Sequence, residues 1–241
     1  EMENNTSIIN SATFDKEPTV SSTLNLSSSK INTYNSCSYK YRLKYIDKVP
    51  EQKTRASSEF GLIIHAILEE YHSLPKEKQT KDALLGLLEK YWREDSFEYR
   101  LRADEFKKQG EEVLSDYFQF ISENPPDVAD VERHFSYTMK DINVSISGKI
   151  DRIDKVGDRL DIIDYKTGSK SKSKKQAIND IQIAIYEIAL RNIIKDYNKI
   201  NLNLYYLKND DFISFDHSKE KIQVLENKIL DKVKQILATT K

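Results

Sequence analysis

The sequence predicts an α/β (α+β) fold in which helices flank a mixed central sheet, and two observations predict it. Apolar residues recur at helical spacing through the first half of the chain, up to the Pro125-Pro126 pair. Beyond that pair, apolar and polar residues alternate as they do in strands, and helical patterns return between and after the strands. Strands and helices mixed along one chain are typical of a sheet with helices packed on its faces.

The first half contains four predicted helices. A serine cluster at 27 to 29 offers an N-cap for a helix over 30–45, which ends before Pro50. A second helix, over 57–72, has an apolar stripe at helical spacing. Two more are predicted over 81–94 and 103–122.

The second half predicts the order β-β-β-α-β-β-α. Three strands lie in VERHFSYTMKD, INVSISGKIDRID and RLDIIDYK, followed by a helix over 176–194. The segments NLNLYYLK and DFISFD predict two more strands, and a closing helix is predicted over 219–237. We divide the chain into a flexible lead-in over 1–27 and one domain over 28–241, with a mainly helical part (28–126) and a sheet core (127–241). Because the chain begins at Glu1, we expect it to be a piece of a longer polypeptide.

The composition of the chain excludes several classes of protein. The chain has 241 residues, of which 32% are charged and 38% hydrophobic, as in a soluble globular protein. No apolar run approaches the ~18 residues of a membrane helix and no secretory signal is present, so we expect a cytoplasmic protein without a membrane partner. The single Cys37 excludes an internal disulfide framework. No phosphate-binding loop motif occurs, which argues against ATP chemistry within this chain.

The hairpin around Gly157-Asp158 carries the main indication of function. A two-residue turn there pairs Val156 with Arg159, which places Asp151 opposite Asp164 with Lys166 on the same side. Opposed carboxylates are destabilising unless a cation neutralises them, and a hard divalent cation with oxygen ligands does so. The alternative is a solvated hairpin with scattered charges.

The same register also opposes Asp154 and Asp161, so pairing alone is not diagnostic. Arg152 and Arg159 share the face of that second pair and supply its counter-ions. Apolar Ile153, Leu160 and Ile162 instead accompany Asp151 and Asp164, which favours the first pair as the functional one.

Other residues allow two interpretations each. His65 and Glu69 share a helix face and could both bind a metal, or His65 could be a partly buried structural histidine. Gln182 and Tyr186 also share a helix face and could contact a nucleic-acid strand or brace the lysine, or they could form a polar helix edge. Basic residues over 38–55 and 165–175, the latter including Lys170 and Lys172, suit a polyanion or form solvated loops. A final group could stack on bases or pack in the core: Tyr34, Tyr39, Tyr41 and Tyr45.

Together these residues resemble the RecB-like branch of the PD-(D/E)xK nuclease superfamily. The matching motifs occur in the family's order: His65 in FGLIIHAILEEYH, Asp151 in GKIDRID, Asp164 and Lys166 in IIDYKTG, and Gln182 with Tyr186 in QIAIY. The resemblance covers about 26 to 238 and implies a restriction-endonuclease-like core with an N-terminal helical elaboration.

The resemblance also implies roles. His65, Asp151, Asp164 and the backbone carbonyl of Tyr165 would hold Mg²⁺ or Mn²⁺, and Lys166 would orient the attacking water. Gln182 and Tyr186 would support the site and the DNA strand. The implied function is a metal-dependent deoxyribonuclease, in the form of an exonuclease on single-stranded or helicase-unwound DNA in repair or recombination. The rival is a non-catalytic DNA-binding or scaffold module of a helicase-nuclease complex.

The expected partners are DNA and a helicase or ATPase domain or subunit, with nucleoid association if the source is prokaryotic. Several family members carry an iron-sulfur cluster held by one early cysteine and three later ones. Cys37 matches the first of these, but the sequence contains no other cysteine. We therefore expect no iron-sulfur cluster unless the native chain continues past Lys241.

Overall fold

The structure is a computed structural model that describes residues 24–50, 56–97, 99–139, 142–194, 197 and 199–239. Across these residues a six-stranded mixed sheet is flanked by helices, so the predicted fold class is confirmed. The strands are β1 (Leu24–Leu26), β2 (Val128–Met139), β3 (Val144–Val156), β4 (Arg159–Lys166), β5 (Lys199–Tyr206) and β6 (Asp211–Phe215). The helices are α1 (Ser28–Ser36), α2 (Ser38–Tyr41), α3 (Ala56–Ser73), α4 (Lys81–Tyr91), α5 (Arg100–Glu123), α6 (Lys174–Ala177), α7 (Ile181–Ile193) and α8 (Lys219–Thr239).

Strand β3 organises the sheet because it pairs along both of its edges. One edge carries β2 in antiparallel register. The other edge carries β1, parallel, at its N-terminal end and β4, antiparallel, at its C-terminal end. Strand β5 then adds parallel to β4, and β6 adds antiparallel to β5. Mixed pairing of this kind leaves an opening on β3 between β1 and β4.

Two apolar cores cover the two faces of the sheet. One core packs α7 and α8 against Ile153, Leu160 and Ile162. The other packs α3, α4 and α5 against Ile163 and Tyr165 of β4. Both faces of β4 are therefore buried, whereas the sequence pattern had indicated a buried apolar setting for only one of them.

The helices predicted over 30–45 and 176–194 are each interrupted. Cys37 is extended (φ −165°) and separates α1 from α2, and a π-helical segment, Arg42–Ile46, follows. The sulfur of Cys37 accepts a hydrogen bond from the Lys40 amide at 3.4 Å and caps α2. Asp180 separates α6 from α7, because its side chain caps the amides of Gln182 and Ile183. Capping side chains thus divide segments whose apolar spacing is continuous.

The N-terminal segment that we assigned to the lead-in includes a strand. Residues 24–26 form β1 and pair with Val144, Ser145 and Ile146 of β3. Residues 1–23 lie outside the described part of the chain.

A glycine of β3 permits close packing between the sheet and α7. A Cβ at Gly148 would lie 2.7 Å from the ring of Phe135, which is buried and packs edge-on against Tyr186. We expect Gly148→Ala to displace Phe135 and to lower the free energy of unfolding by about 1–3 kcal/mol. Urea denaturation measures the difference.

The matched control is Gly86→Ala, because a Cβ there meets nothing within 4 Å and Gly86 lies inside α4. Alanine favours a helix over glycine, so this variant should be neutral or more stable by up to about 1 kcal/mol. Equal stability of Gly148→Ala and the wild type would contradict the packing described for Phe135.

Candidate active site

The candidate site lies where the β3–β4 ladder ends. The predicted Gly157-Asp158 turn and its register are confirmed, with Val156 paired to Arg159 and the described ladder running to Arg152 and Ile163. Asp151 and Asp164 come next but are not a ladder pair. Instead, the Tyr165 amide donates a hydrogen bond to Asp151 Oδ2 at 2.8 Å, while β4 stays paired with β5. The Asp151 side chain thus takes the place of the next backbone hydrogen bond of the ladder, and β3 and β4 separate at Asp151 and Asp164.

Helix α3 brings His65 to this opening. His65 Nδ1 lies 3.5 Å from Asp151 Oδ1. One turn earlier, a Cβ at Gly61 would lie 3.0 Å from Thr167 Oγ1, so glycine allows the helix to approach the loop after β4. The hydrogen bond and the charge of Asp151 raise the pKa of His65, although burial alone would lower it. Electrostatic attraction therefore holds His65 beside Asp151.

Glu132 joins His65 and Asp151 in a group of possible metal ligands. One ligand atom from each of the three lies within 4.8 Å of the others. Glu132 is on β2, has φ of 47°, and forms an ion pair with Lys149. Burial raises the pKa of its carboxyl group, and the charge of Asp151 adds to this effect, while Lys149 opposes it. Glu132 was not among the residues predicted from the sequence.

Asp164 and Lys166 form a buried ion pair beside this group. Asp164 is 1% exposed, and its Oδ2 contacts Lys166 Nζ. Burial raises the pKa of Asp164 to about 6. The negative charge of Asp164 raises the pKa of Lys166, against the effect of burial, so the amine stays protonated. The charge of Asp151 also raises the pKa of Asp164, as expected for two nearby carboxylates.

Helix α7 holds the lysine from the other side. Lys166 Nζ donates to Gln182 Oε1 at 3.0 Å, and Gln182 Nε2 donates to the Tyr186 hydroxyl at 2.6 Å. The structure therefore brings Asp164, Lys166, Gln182 and Tyr186 into one continuous chain of contacts. The interpretation of Gln182 and Tyr186 as a plain polar helix edge does not account for this chain.

Behind the site, a buried polar cluster holds the side chain of Tyr165. Arg152 Nη1 donates to the hydroxyls of Tyr117 and Tyr165 at 2.7 and 2.8 Å, and those two hydroxyls lie 2.8 Å apart. Arg152 also pairs with Asp154. His72 completes the cluster through Tyr117 and through Arg152 Nη1 at 3.3 Å. The alternative acid pair thus belongs to a structural network, with Asp161 paired to Arg159 as the sequence indicated.

His72 gives this network a predictable response to acid. Burial, and then the charge of Arg152, lowers the pKa of His72 to about 3, so the folded protein keeps the imidazole neutral. Below pH 6.5 the His72 imidazole binds a proton in the unfolded chain but not in the native state. The free energy of unfolding therefore falls as the pH decreases towards 3. At pH 5 this group should cost about 2 kcal/mol relative to pH 8. We expect His72→Leu to lose less stability than the wild type between these pH values in urea titrations.

The exposed His134 on β2 is the matched control for this experiment. His134→Leu should retain the wild-type loss of stability on acidification. An identical pH dependence for His72→Leu and the wild type would contradict a buried neutral imidazole.

The predicted basic and aromatic segments are divided between several environments. Lys172 pairs with Asp180, whereas Lys170 is exposed. Tyr41 is buried in the core, and Tyr34 and Tyr45 are partly buried and pack against it. Tyr39 is 67% exposed. Lys53 and Arg55 lie outside the described residues.

The donor set fits a hard divalent cation. Carboxylate oxygens are the preferred ligands of Mg²⁺ and Mn²⁺, and an imidazole nitrogen is compatible with Mn²⁺. Three acids, Glu132, Asp151 and Asp164, are gathered around His65 and Lys166 at the point where β3 and β4 separate. A cation here would offset repulsion between carboxylates that the protein side chains only partly neutralise.

The chain matches a known protein family over nearly its whole length. A model of the PD-(D/E)XK nuclease superfamily matches residues 25–240, and the chain belongs to that superfamily. The resemblance inferred from the motifs is therefore confirmed. Nucleases of this superfamily generally depend on divalent metal ions.

The relatives are much longer proteins, each a subunit of an ATP-dependent helicase/deoxyribonuclease. The chain is 30% identical over 73% of its length to such a subunit from Streptococcus mutans, and 26% identical over 89% of its length to the subunit of the same name from Clostridium perfringens. It spans 17% and 23% of those relatives. A crystal structure of a candidate exonuclease from Eubacterium rectale is similar with a TM-score of 0.57 and 11% identity, covering 90% of this chain and 81% of that one. Among the described residues, no helix has both the length and the apolar character that crossing a bilayer requires.

Proposed function

We propose that the chain is a divalent-metal-dependent nuclease domain that hydrolyses phosphodiester bonds of DNA. One observation carries the proposal: His65, Glu132 and Asp151 place ligand atoms within 4.8 Å of one another, at the point where Asp164 pairs with Lys166. Ligands for a cation and a fixed ammonium group, held together where β3 and β4 separate, suit chemistry on a phosphate diester.

We assign the metal ligands to His65, Asp151, Asp164 and the Tyr165 carbonyl, and we add Glu132 to this set. A bound Mg²⁺ or Mn²⁺ supplies Lewis acidity and lowers the pKa of water. Asp151 has a second task, because it also accepts the Tyr165 amide and so fixes the backbone whose carbonyl we assign to the cation. Arg152 and Tyr117 hold the Tyr165 side chain on the opposite face.

Lys166 is the catalytic side chain that is not a metal ligand. Its amine keeps its proton because Asp164 favours the charged form. Gln182 accepts one N–H of the amine, which limits the directions in which the remaining N–H groups point. An ammonium held in this way orients a water molecule and stabilises negative charge that develops on the phosphate.

We further propose an exonuclease that acts on a single strand delivered by a helicase or ATPase partner, in DNA repair or recombination. The names of the Streptococcus and Clostridium relatives, which combine helicase and deoxyribonuclease, support this form. Such an enzyme would work on chromosomal DNA in the cytoplasm. The alternative, a DNA-binding module without activity, is disfavoured by the gathered acids and the protonated lysine.

The test is cleavage of DNA by the purified chain. Linear single-stranded and double-stranded DNA are incubated with Mg²⁺, with Mn²⁺ or with EDTA. We expect degradation that requires the metal and that releases short products from strand ends. DNA binding without any cleavage by the wild type would replace the proposal with the scaffold alternative.

A further inference from the structure

A groove of polar side chains runs beside the candidate site. It has a volume of about 410 Å³ and is lined by five residues of α1 together with one of α7: Ser28, Ser29, Asn32, Thr33, Ser36 and Gln182. We refer to it as the α1 groove. Every lining side chain is a hydroxyl or a carboxamide, so the lining carries no charge of its own. The Thr33 and Ser36 hydroxyls donate to backbone carbonyls of α1 and keep their oxygen lone pairs as acceptors, whereas the exposed Asn32 amide offers donors to a ligand.

The α1 groove opens onto the reacting groups. Gln182 lines it and also accepts the hydrogen bond from Lys166 Nζ at 3.0 Å. One side chain therefore separates a ligand in the groove from the amine. The Asp180 side chain caps the start of α7 by accepting the backbone amide of Gln182, and so fixes the part of the helix from which the Gln182 side chain extends.

The segment that contains α1 is free of acidic residues. Residues 24–46 contain no Asp or Glu, although the whole chain has 39 of them, and they include Lys30, Lys40, Arg42 and Lys44. Residues 165–179, which lead from β4 into α6, also contain no acid and carry five lysines. The α1 side of the groove thus lies in a segment with basic and no acidic residues, whereas Asp164 and Asp180 on the Gln182 side are paired with Lys166 and Lys172. This distribution of charge favours a negatively charged ligand.

The chemistry of the lining selects the part of the ligand that is bound. Serine, threonine, asparagine and glutamine side chains commonly donate to phosphate oxygens, and such contacts position a nucleic acid without reading its bases. A volume of about 410 Å³ is that of a small-molecule pocket, which suits a few atoms of one backbone strand rather than a duplex. Grooves that bind single strands track the backbone in this way.

We propose that the α1 groove holds the phosphate backbone of a single DNA strand next to the scissile bond, independently of base sequence. This inference rests on the proposed nuclease function and specifies where its substrate lies. The exposed Asn32, near the middle of the lining, donates its amide to a phosphate oxygen.

The test compares two substitutions of the same type on the same helix. Asn32→Asp places a negative charge in the groove, whereas Asn35→Asp places it on an exposed residue outside the lining. The probe is a fluorescein-labelled dT₂₀ oligonucleotide in 0.15 M salt with EDTA, where charges more than about 8 Å apart are largely screened. We expect the Kd of Asn32→Asp to rise roughly tenfold or more, as for loss of a hydrogen bond to a charged group, and that of Asn35→Asp to stay within about twofold.

The neutral variant Asn32→Ala, and a thermal melt of each variant, separate lost contacts from lost folding. Asn32→Ala should weaken binding by severalfold with an unchanged Tm. Equal Kd values for the wild type, Asn32→Asp and Asn32→Ala, with DNA still cut by the wild type, would overturn the groove and leave the nuclease proposal standing. A wild type that neither binds dT₂₀ nor cuts DNA would overturn both.

Discussion

Replacing Lys166 by methionine is expected to lower the rate of DNA cleavage by about 10³-fold, the scale on which a single preorganised charge or donor acts in a transition state. Methionine keeps most of the volume and removes the ammonium group, so the side chain can still pack between Asp164 and Gln182. The rate is measured under single-turnover conditions with saturating Mg²⁺. Binding of single-stranded DNA in EDTA should change far less than the rate.

Lys155→Met is the control, because Lys155 is an exposed lysine of the same hairpin, near its turn. It should cut DNA at the wild-type rate. If Lys166→Met also retained the wild-type rate, the amine would have no part in the reaction and the assignment of the site would be wrong.

Asp151→Asn should have an effect of similar or greater size, through the metal. Asn can still accept the Tyr165 amide through its side-chain oxygen, so the end of the β3–β4 ladder is preserved while the negative charge is lost. We expect Mn²⁺ affinity to fall by roughly 100-fold or more, beyond what is usual for residues that only hydrogen-bond to ligands. DNA cleavage should fall by about 10³-fold or more at a fixed metal concentration.

Calorimetric titration with Mn²⁺ measures the affinity directly, without reference to activity. Asp158→Asn, at the exposed tip of the same hairpin, removes the same charge and should leave the Mn²⁺ affinity unchanged. Unaltered Mn²⁺ binding by Asp151→Asn would exclude Asp151 from the metal ligands, whatever its effect on cleavage.

The part of the site in the hairpin could be predicted because a two-residue turn fixes the register of the strands that it joins. Gly157-Asp158 therefore brought Asp151 and Asp164 to the same level of the sheet. The end of the ladder could not be predicted. Strand β4 leaves β3 because it remains paired with β5, which is distant in sequence.

Glu132 illustrates a second limit. The register of β2 and β3 places Val131 beside Arg152 and Arg133 beside Ile150, with Glu132 at the level of Asp151. The connection between these strands contains no glycine, so no turn motif in the sequence specified this alignment. Glu132 could have been identified from the sequence by aligning VERHFSYT antiparallel to GKIDRID in each possible register and searching for acids that come to lie side by side.

The polar cluster around Arg152 could not be inferred either. In the sequence, Arg152 looked like a counter-ion for Asp154, and the two residues do pair. Arg152 also donates to Tyr165 on the neighbouring strand β4. Its remaining contacts come from Tyr117 on α5 and, more weakly, His72 on α3, two helices whose packing on this face the sequence did not specify. Buried polar networks depend on which helix covers a sheet face, and periodicity predicts the helix but not its partner.

A crystal of the wild-type chain soaked in Mn²⁺ tests the central claim most directly. We expect an anomalous scattering peak within coordination distance of Asp151 and His65, with Asp164, the Tyr165 carbonyl or Glu132 completing the ligands, and no such peak in Asp151→Asn. A peak confined to other acidic residues, or an empty site in a protein that still cuts DNA with Mn²⁺, would contradict it.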